Sequence, residues 1–392
     1  MPRLLYVLRT AYCGTHQALN DYDNLLRSIL SRALNLNLSD THWVQASLPV
    51  QFGGLGVRGA VLLAPSAFLA SAAGSFTLTQ SLLPNGVGKD LDVYTNLAMN
   101  HWLAAVGGGQ DPPAQSHRQK MWDNACCKSA LLSIMSSAAH LQDRARLLAI
   151  QSWGAGAWLS ALPASALGLR LSDETVRIAA GLRLGADLCH PHTCRCGATV
   201  EARGTHGLAC RFSAGRHARH SQVNELVRRA LLSANIPSVL EPQGLLRSDN
   251  KRPDGLSLVP WSAGRCLVWD ATIPDTLAPS HLQSTSQSAG TAAARAAASK
   301  MAKYSEICNN YYFVPLAIET LGSFCQEGRR FVADLGRRLT ASTGDVRSGS
   351  YLRQRLSIAI QRGNAAAVLG TLPATNERLF NFNLNSNFNF NV

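Results

Sequence analysis

Apolar residues recur at three- and four-residue steps from Val223 through Leu226, Val227, Ala230 and Leu231 to Ala234, which predicts an amphipathic helix over residues 216–234 with a basic opposite face. A short strand follows from Ile236 to Glu241. Two further runs, Leu256 to Val259 and Cys266 to Asp270, flank the turn-forming string Pro260-Trp261-Ser262-Ala263-Gly264 and read as a hairpin. An Ala-rich helix from Thr291 to Cys308 and an apolar strand from Tyr311 to Ile318 complete an order of helix, three strands, helix, strand. Nearer the start, Tyr22, Leu25, Leu26, Ile29, Leu30 and Ala33 make a helical stripe, and residues 40–57 read as a loop or turn. Gly59 to Gly88 carries no charge, but Pro65, Gly74 and several serines interrupt it, so a buried helix pair is expected rather than a membrane span. The opening Leu4-Leu5-Tyr6-Val7-Leu8 is too short for a signal-peptide core, and Arg9 closes it.

The resulting plan is α+β/α. A helical region (1–103) and a Gly/Pro linker (104–118) lead into a helical connector (119–188) and a cysteine-rich knuckle (189–215). An αβββαβ core (216–340), a helical extension (341–379) and an Asn/Phe low-complexity tail (380–392) follow. At 392 residues the chain is long enough for more than one core.

Candidate chemistry concentrates between Cys189 and Lys303. Asp254 and Asp270 are equidistant from Ser262, so an unbulged hairpin sets them directly opposite, with like charges on one face. A divalent cation, Mg²⁺ or Mn²⁺, relieves that repulsion and suits phosphate chemistry; two solvated strand-end aspartates are the alternative. Lys300 and Lys303 lie one helical turn apart, in reach of the acids or else solvating an exposed face.

Four of the ten cysteines lie within residues 189–210. Cys194, Cys196, His206 and Cys210 offer a closed set of three sulfurs and one nitrogen, as in structural zinc sites, although Cys189 or His192 could replace a member. Reduced thiols are the other reading. The net charge of +13 would attract a polyanion, and Arg211, Arg216, Arg219, His220, Arg228 and Arg229 gather that charge beside the knuckle as candidate phosphate contacts.

The ordered set of the Cys/His knuckle, Arg252-Pro253-Asp254, Asp270 and Lys300-Met301-Ala302-Lys303-Tyr304 resembles the PD-(D/E)xK nuclease core. More narrowly, it is similar to the restriction-like endonuclease at the C-terminus of site-specific non-LTR retrotransposons. The resemblance implies that Asp254 and Asp270 are metal-binding catalytic carboxylates and Lys300 the catalytic lysine, with Lys303, Glu241 and Glu225 auxiliary. It further implies a nuclear protein that nicks DNA to prime reverse transcription, with the element's RNA a further partner and no membrane. Thr272 stands where the general pattern places its lysine; in the retrotransposon branch the lysine has moved to the following helix. Residues 43–49 and 53–58 resemble the thumb region of retrotransposon reverse transcriptases, but no Tyr-x-Asp-Asp string occurs, so the polymerase palm is absent. A non-catalytic, zinc-dependent nucleic-acid-binding relic of the same element is the rival expectation.

Overall fold

The structure, a computed structural model, describes residues 2–83, 89–245 and 252–372. Lys251 and the Phe/Asn tail lie outside these residues. The chain divides into two compact units, residues 1–33 with 38–138 and residues 34–37 with 139–392.

The first unit is helical: α1 (Pro2–Thr10), α2 (Gln17–Leu34), α3 (Asp40–Ser47), α4 (Ala60–Leu82), α5 (Lys89–Val106) and α6 (Gln119–Ser137). Residues 40–47, expected as loop, form α3, because Ser39 and His42 make a reciprocal capping box that satisfies the helix's first donors. The uncharged run is one 23-residue helix where a pair was expected. By length and composition α4 could cross a membrane, but its first half is buried in this unit among α1, α5 and α6. Asp23 accepts hydrogen bonds from the Ala60 and Val61 amides and so caps it. The α2 stripe forms a helix, yet Leu25 and Ile29 are exposed. The 104–118 segment, expected as a linker between domains, joins α5 to α6 inside this unit; the boundary falls after Ala138.

The second unit contains α7 (Leu141–Ile150), α8 (Asp173–Leu184), β1 (His192–Thr193), β2 (Thr199–Val200), α9 (His206–Ala209), α10 (Ala214–Ser233), β3 (Ser238–Leu240), β4 (Gly255–Ser262), β5 (Arg265–Thr272), α11 (Pro279–Thr285), α12 (Thr291–Lys303), β6 (Tyr312–Ala317), α13 (Gln326–Thr343) and α14 (Ser348–Leu369). The expected order of helix, three strands, helix and strand is present, with α11 inserted. The sheet order is β3-β4-β5-β6, with β6 parallel to β5 and the other pairs antiparallel.

Alternation along β5 divides the sheet's surroundings, as side chains of a strand point alternately to its two faces. Leu267, Trp269 and Ala271 enter a core shared with Val223, Val227 and Leu231 of α10, Phe331 and Leu335 of α13, and Leu352, Leu356 and Ile360 of α14. Val268 joins Tyr304 and Ile307 in a separate cluster. Residues 341–379, expected as an extension, therefore supply through α14 part of the core itself.

The hairpin is bulged, contrary to the simple expectation, and the bulges set the aspartate register. Ala263 and Gly264 both have positive φ and form the two-residue turn that pairs Ser262 with Arg265. Extended without interruption, that register would oppose Asp254 to Ile273. Instead Pro260 pairs with Cys266 and Leu256 with Val268, so six steps along β4 are matched by three along β5. The buried Ser257 hydroxyl fills the irregularity, donating to Val259 O at 2.7 Å and accepting from Leu267 N at 2.8 Å. Beyond it Gly255 pairs with Trp269, and Asp254, just before β4, donates from its N to Trp269 O and accepts from Ala271 N at Oδ2, the two neighbours of Asp270.

A Cβ on Gly255 would stand 2.0 Å from the Trp269 ring, whose Nε1 donates to Asn224 Oδ1 at 3.1 Å. Gly255→Ala must displace a fully buried tryptophan, so a loss of about 1–3 kcal/mol is expected, the usual overpacking cost, measured by denaturant unfolding.

Candidate nuclease site and metal knuckle

The knuckle begins with the β1–β2 hairpin. Its turn, closed by Gly197 N to Cys194 O at 2.8 Å with Gly197 at φ 87°, sets Cys194 and Cys196 on one side. The short helix α9 brings His206 and Cys210 to them. The four ligand atoms lie within 4.8 Å of one another. Cys194 Sγ is 3.8 Å from Cys210 Sγ, and Cys196 Sγ is 3.2 Å from His206 Nε2. A tetrahedral zinc with ordinary bond lengths separates two sulfurs by about 3.8 Å and a sulfur and a nitrogen by about 3.6 Å, so the set fits a metal ion such as zinc. The two substitutes are engaged elsewhere: Cys189 Sγ points to the carbonyls of Glu201 and Ala202, and His192 Nε2 meets the Thr371 hydroxyl at 3.1 Å. Burial pushes the Cys189 thiol up to about 11.

Asp254 precedes β4 and is fixed at its backbone by Asp254 N to Trp269 O at 3.0 Å and Glu241 N to Asp254 O at 2.9 Å. The segment before it is held by the Tyr304 hydroxyl, which donates to Arg252 O at 2.9 Å. Asp254 Oδ2 accepts from Ala271 N at 2.6 Å and lies 2.9 Å from His220 Nε2. Burial pushes its carboxyl up, but the His220 hydrogen bond and charge, with the Ala271 amide, outweigh burial and hold it below its ordinary value. The same hydrogen bond raises His220 against its own burial.

Asp270 is 3% exposed. Lys300 Nζ pairs with its Oδ1 at 2.6 Å, and this buried oxygen makes no hydrogen bond among the described residues. Thr272, two residues on and on the same strand face, also has a buried hydroxyl without a hydrogen-bond partner among the described residues. Two such oxygens beside a second carboxylate suit a hard cation that keeps part of its water shell. Above them opens a cavity of about 440 Å³ lined by Arg211, Arg216, His217, His220, Thr272 and Lys300.

Three sequence expectations are corrected here. Arg219, expected on DNA, is 1% exposed and donates to Leu208 O, Gly363 O and Asn364 Oδ1. It ties the knuckle and α10 to α14, and a Cβ on Gly363 would stand 2.0 Å from its Cγ. Arg228 and Arg229 both bind Glu225, at 2.8 and 2.6 Å, so these three serve one another and not the carboxylate cavity. His220 does not simply face solvent as a phosphate contact; it is a partner of Asp254. Of the auxiliary residues, Lys303 places its ammonium 4.6 Å from the Tyr304 ring centre, and Glu241 touches the site through its backbone. Arg211 stacks at 4.8 Å on the exposed Phe212 ring.

Sequence reading missed a second pair of acids. Glu319, fully buried, accepts from Ala292 N and Ala293 N at 3.0 and 3.1 Å, capping α12, and from the Thr276 hydroxyl at 3.1 Å. Asp275 accepts from Thr320 Oγ1 at 2.7 Å. Burial raises both carboxyls despite these donors. A carboxyl raised on folding contributes stability that is fully present below its unfolded value, about 4.3, and is lost as pH rises through the folded value. Glu319→Gln is therefore expected to flatten the fall in melting temperature between acidic and neutral pH; a pH series of thermal melts checks it.

No protein-family model matches the chain, and no curated protein is significantly similar to it.

Proposed function

We propose that the second unit is a metal-dependent DNA endonuclease of the PD-(D/E)xK kind, similar to the restriction-like endonuclease of non-LTR retrotransposons, which nicks one strand by hydrolysing a phosphodiester. One observation carries the reading: Asp254 is bonded to Trp269 and Ala271, the neighbours of Asp270, and Lys300, which lines a basic cavity, stands against Asp270. Asp254 and Asp270 would hold Mg²⁺ or Mn²⁺, which supplies Lewis-acid charge at the phosphate and a more acidic bound water.

The chain's own groups then have distinct tasks. Lys300 offers its ammonium to the attacking water or to a phosphoryl oxygen, where charge builds in the transition state. His220 and the Ala271 amide fix the Asp254 carboxylate. Arg211 and Arg216 at the cavity mouth receive backbone phosphates, which position DNA without reading its sequence. Cys194, Cys196, His206 and Cys210 would hold zinc with no open position, hence in a structural role. The first unit is proposed as a remnant of a reverse-transcriptase thumb.

The test is nicking of supercoiled plasmid by the purified chain with Mg²⁺ or Mn²⁺, beside Asp254→Ala and Lys300→Ala. Nicking abolished in both variants is the expected result. Folded, DNA-bound wild-type protein that leaves plasmid intact would overturn the reading in favour of a non-catalytic nucleic-acid-binding protein.

A further inference from the structure

The helix α10 carries polar groups on two opposite sides. His220 turns to Asp254, while Arg229, nine residues later at about 100° per residue, points half a turn away. There a groove of about 400 Å³ opens between α10 and α14. Leu226, Ile358 and Ala359 form its apolar floor; Arg229, Arg355 and Arg362 stand around it. The acid in its wall, Glu225, is bound by both Arg228 and Arg229, so its charge is already met. Arg362 is fixed by donating to the carbonyls of Gly168 and Arg170 at 3.1 and 2.8 Å. Arg355 has no carboxylate partner among the described residues, and its guanidinium lies 5.6 Å from the Tyr351 ring centre.

We propose that this groove binds a nucleotide of a single-stranded nucleic-acid segment, the base face on Leu226, Ile358 and Ala359 and the flanking phosphates on Arg355 and Arg362. Complementarity of charge selects an anion, and the apolar floor selects one that carries a flat, unsolvated face. A base within a duplex is stacked on both faces and has none to offer, whereas an unpaired base does. An acidic peptide would satisfy the guanidiniums and leave the floor uncovered. The site goes beyond the nuclease reading and shares with it only the class of ligand.

The experiment is fluorescence anisotropy of the full chain with labelled oligo(dT), oligo(rU) and a duplex of equal length, with poly-glutamate as competitor. Arg355→Glu and the milder Arg355→Ala are compared with Arg347→Glu, a charge change outside the groove. Arg355→Glu is expected to weaken single-strand binding about tenfold, the weight of one charge-assisted hydrogen bond. It should also lower the slope of log affinity against log salt by about 0.7 for each phosphate that the groove no longer neutralises. Arg355→Ala should follow in the same direction, with duplex affinity changed less than about twofold. The stronger of the two single strands identifies the source as DNA or RNA. An equal weakening in Arg347→Glu, an equal weakening on duplex, or displacement by poly-glutamate as effective as by unlabelled oligo(dT) would each overturn the proposal. Plasmid nicking by the wild type is scored separately: single-strand binding that needs Arg355 in a protein that does not nick keeps the groove and removes the nuclease, and the converse result does the reverse.

Discussion

Lys300→Met is expected to slow plasmid nicking about 10²- to 10³-fold at saturating DNA, the usual cost of removing one preorganised charge from a transition state. Asp270→Asn should fall at least as far. Because the Lys300 ammonium lies 2.6 Å from Asp270, the two act as one unit, and the double variant should be little slower than the worse single one. Single-turnover nicking rates measure this. The same pair gives a readout independent of turnover. Lys300→Met leaves the Asp270 carboxylate, 3% exposed, without its cation, and a broken buried pair costs about 3–5 kcal/mol; the 26% exposure of the Lys300 side chain reduces that figure. A divalent cation that binds between the carboxylates replaces the missing charge and binds only the folded chain, so Mg²⁺ should raise the melting temperature of Lys300→Met more than that of the wild type. Equal shifts would remove the cation from the site.

The second large effect is expected from the knuckle. Chelation, or Cys210→Ser, should release a single zinc ion per chain and lower the melting temperature by about 10 °C or more, since a structural zinc contributes several kcal/mol to folding. The destabilisation should spread beyond residues 189–215, because Leu208 O, in α9, accepts the buried Arg219 guanidinium, and His220 beside it holds Asp254. Elemental analysis and calorimetry check both parts. Cys189→Ser and His192→Ala should retain zinc, since those side chains are bound to Glu201, Ala202 and Thr371; zinc released from either would redraw the ligand set.

Periodicity read the scaffold around the candidate site well. The helix over residues 216–234, the hairpin, the Ala-rich helix and the last strand all stand within a few residues of where their apolar patterns put them, because each pattern reports burial against one core. The Cys/His cluster was legible because residues that could share one metal ion must converge on a point. What was not legible depended on contacts between distant residues. Nothing in Arg216 to Arg229 distinguishes Arg219, buried beneath α14, from Arg216 at the cavity mouth until Gly363 is seen opposite it. The role of α14 in the core was hidden for a related reason: it buries both apolar residues and polar ones such as Ser357, Gln361 and Asn364, so its sequence shows no clean stripe. Glu319 was missed because a buried carboxylate is recognisable only from its donors, Ala292, Ala293 and Thr276, which lie more than twenty residues away. Symmetry about Ser262 set the aspartates opposite one another only in an unbulged hairpin, whereas β4 is bulged and Asp254 bonds to Trp269 and Ala271 on either side of Asp270.

Those bulges make the acid pair a matter of residue count. Exchanging Ala263-Gly264 for another two-residue turn of the same handedness leaves the geometry at Asp254 untouched, since Ser257 resets the ladder between the turn and the acids. Deleting a single residue between Ser257 and Pro260 is a different kind of change: no side chain of the site is altered, yet Asp254 either slides past Asp270 or rotates to the opposite face of the sheet. Length variation in this protein should therefore be silent at the tip of the hairpin and disabling in its flank, although the two places are only a few residues apart.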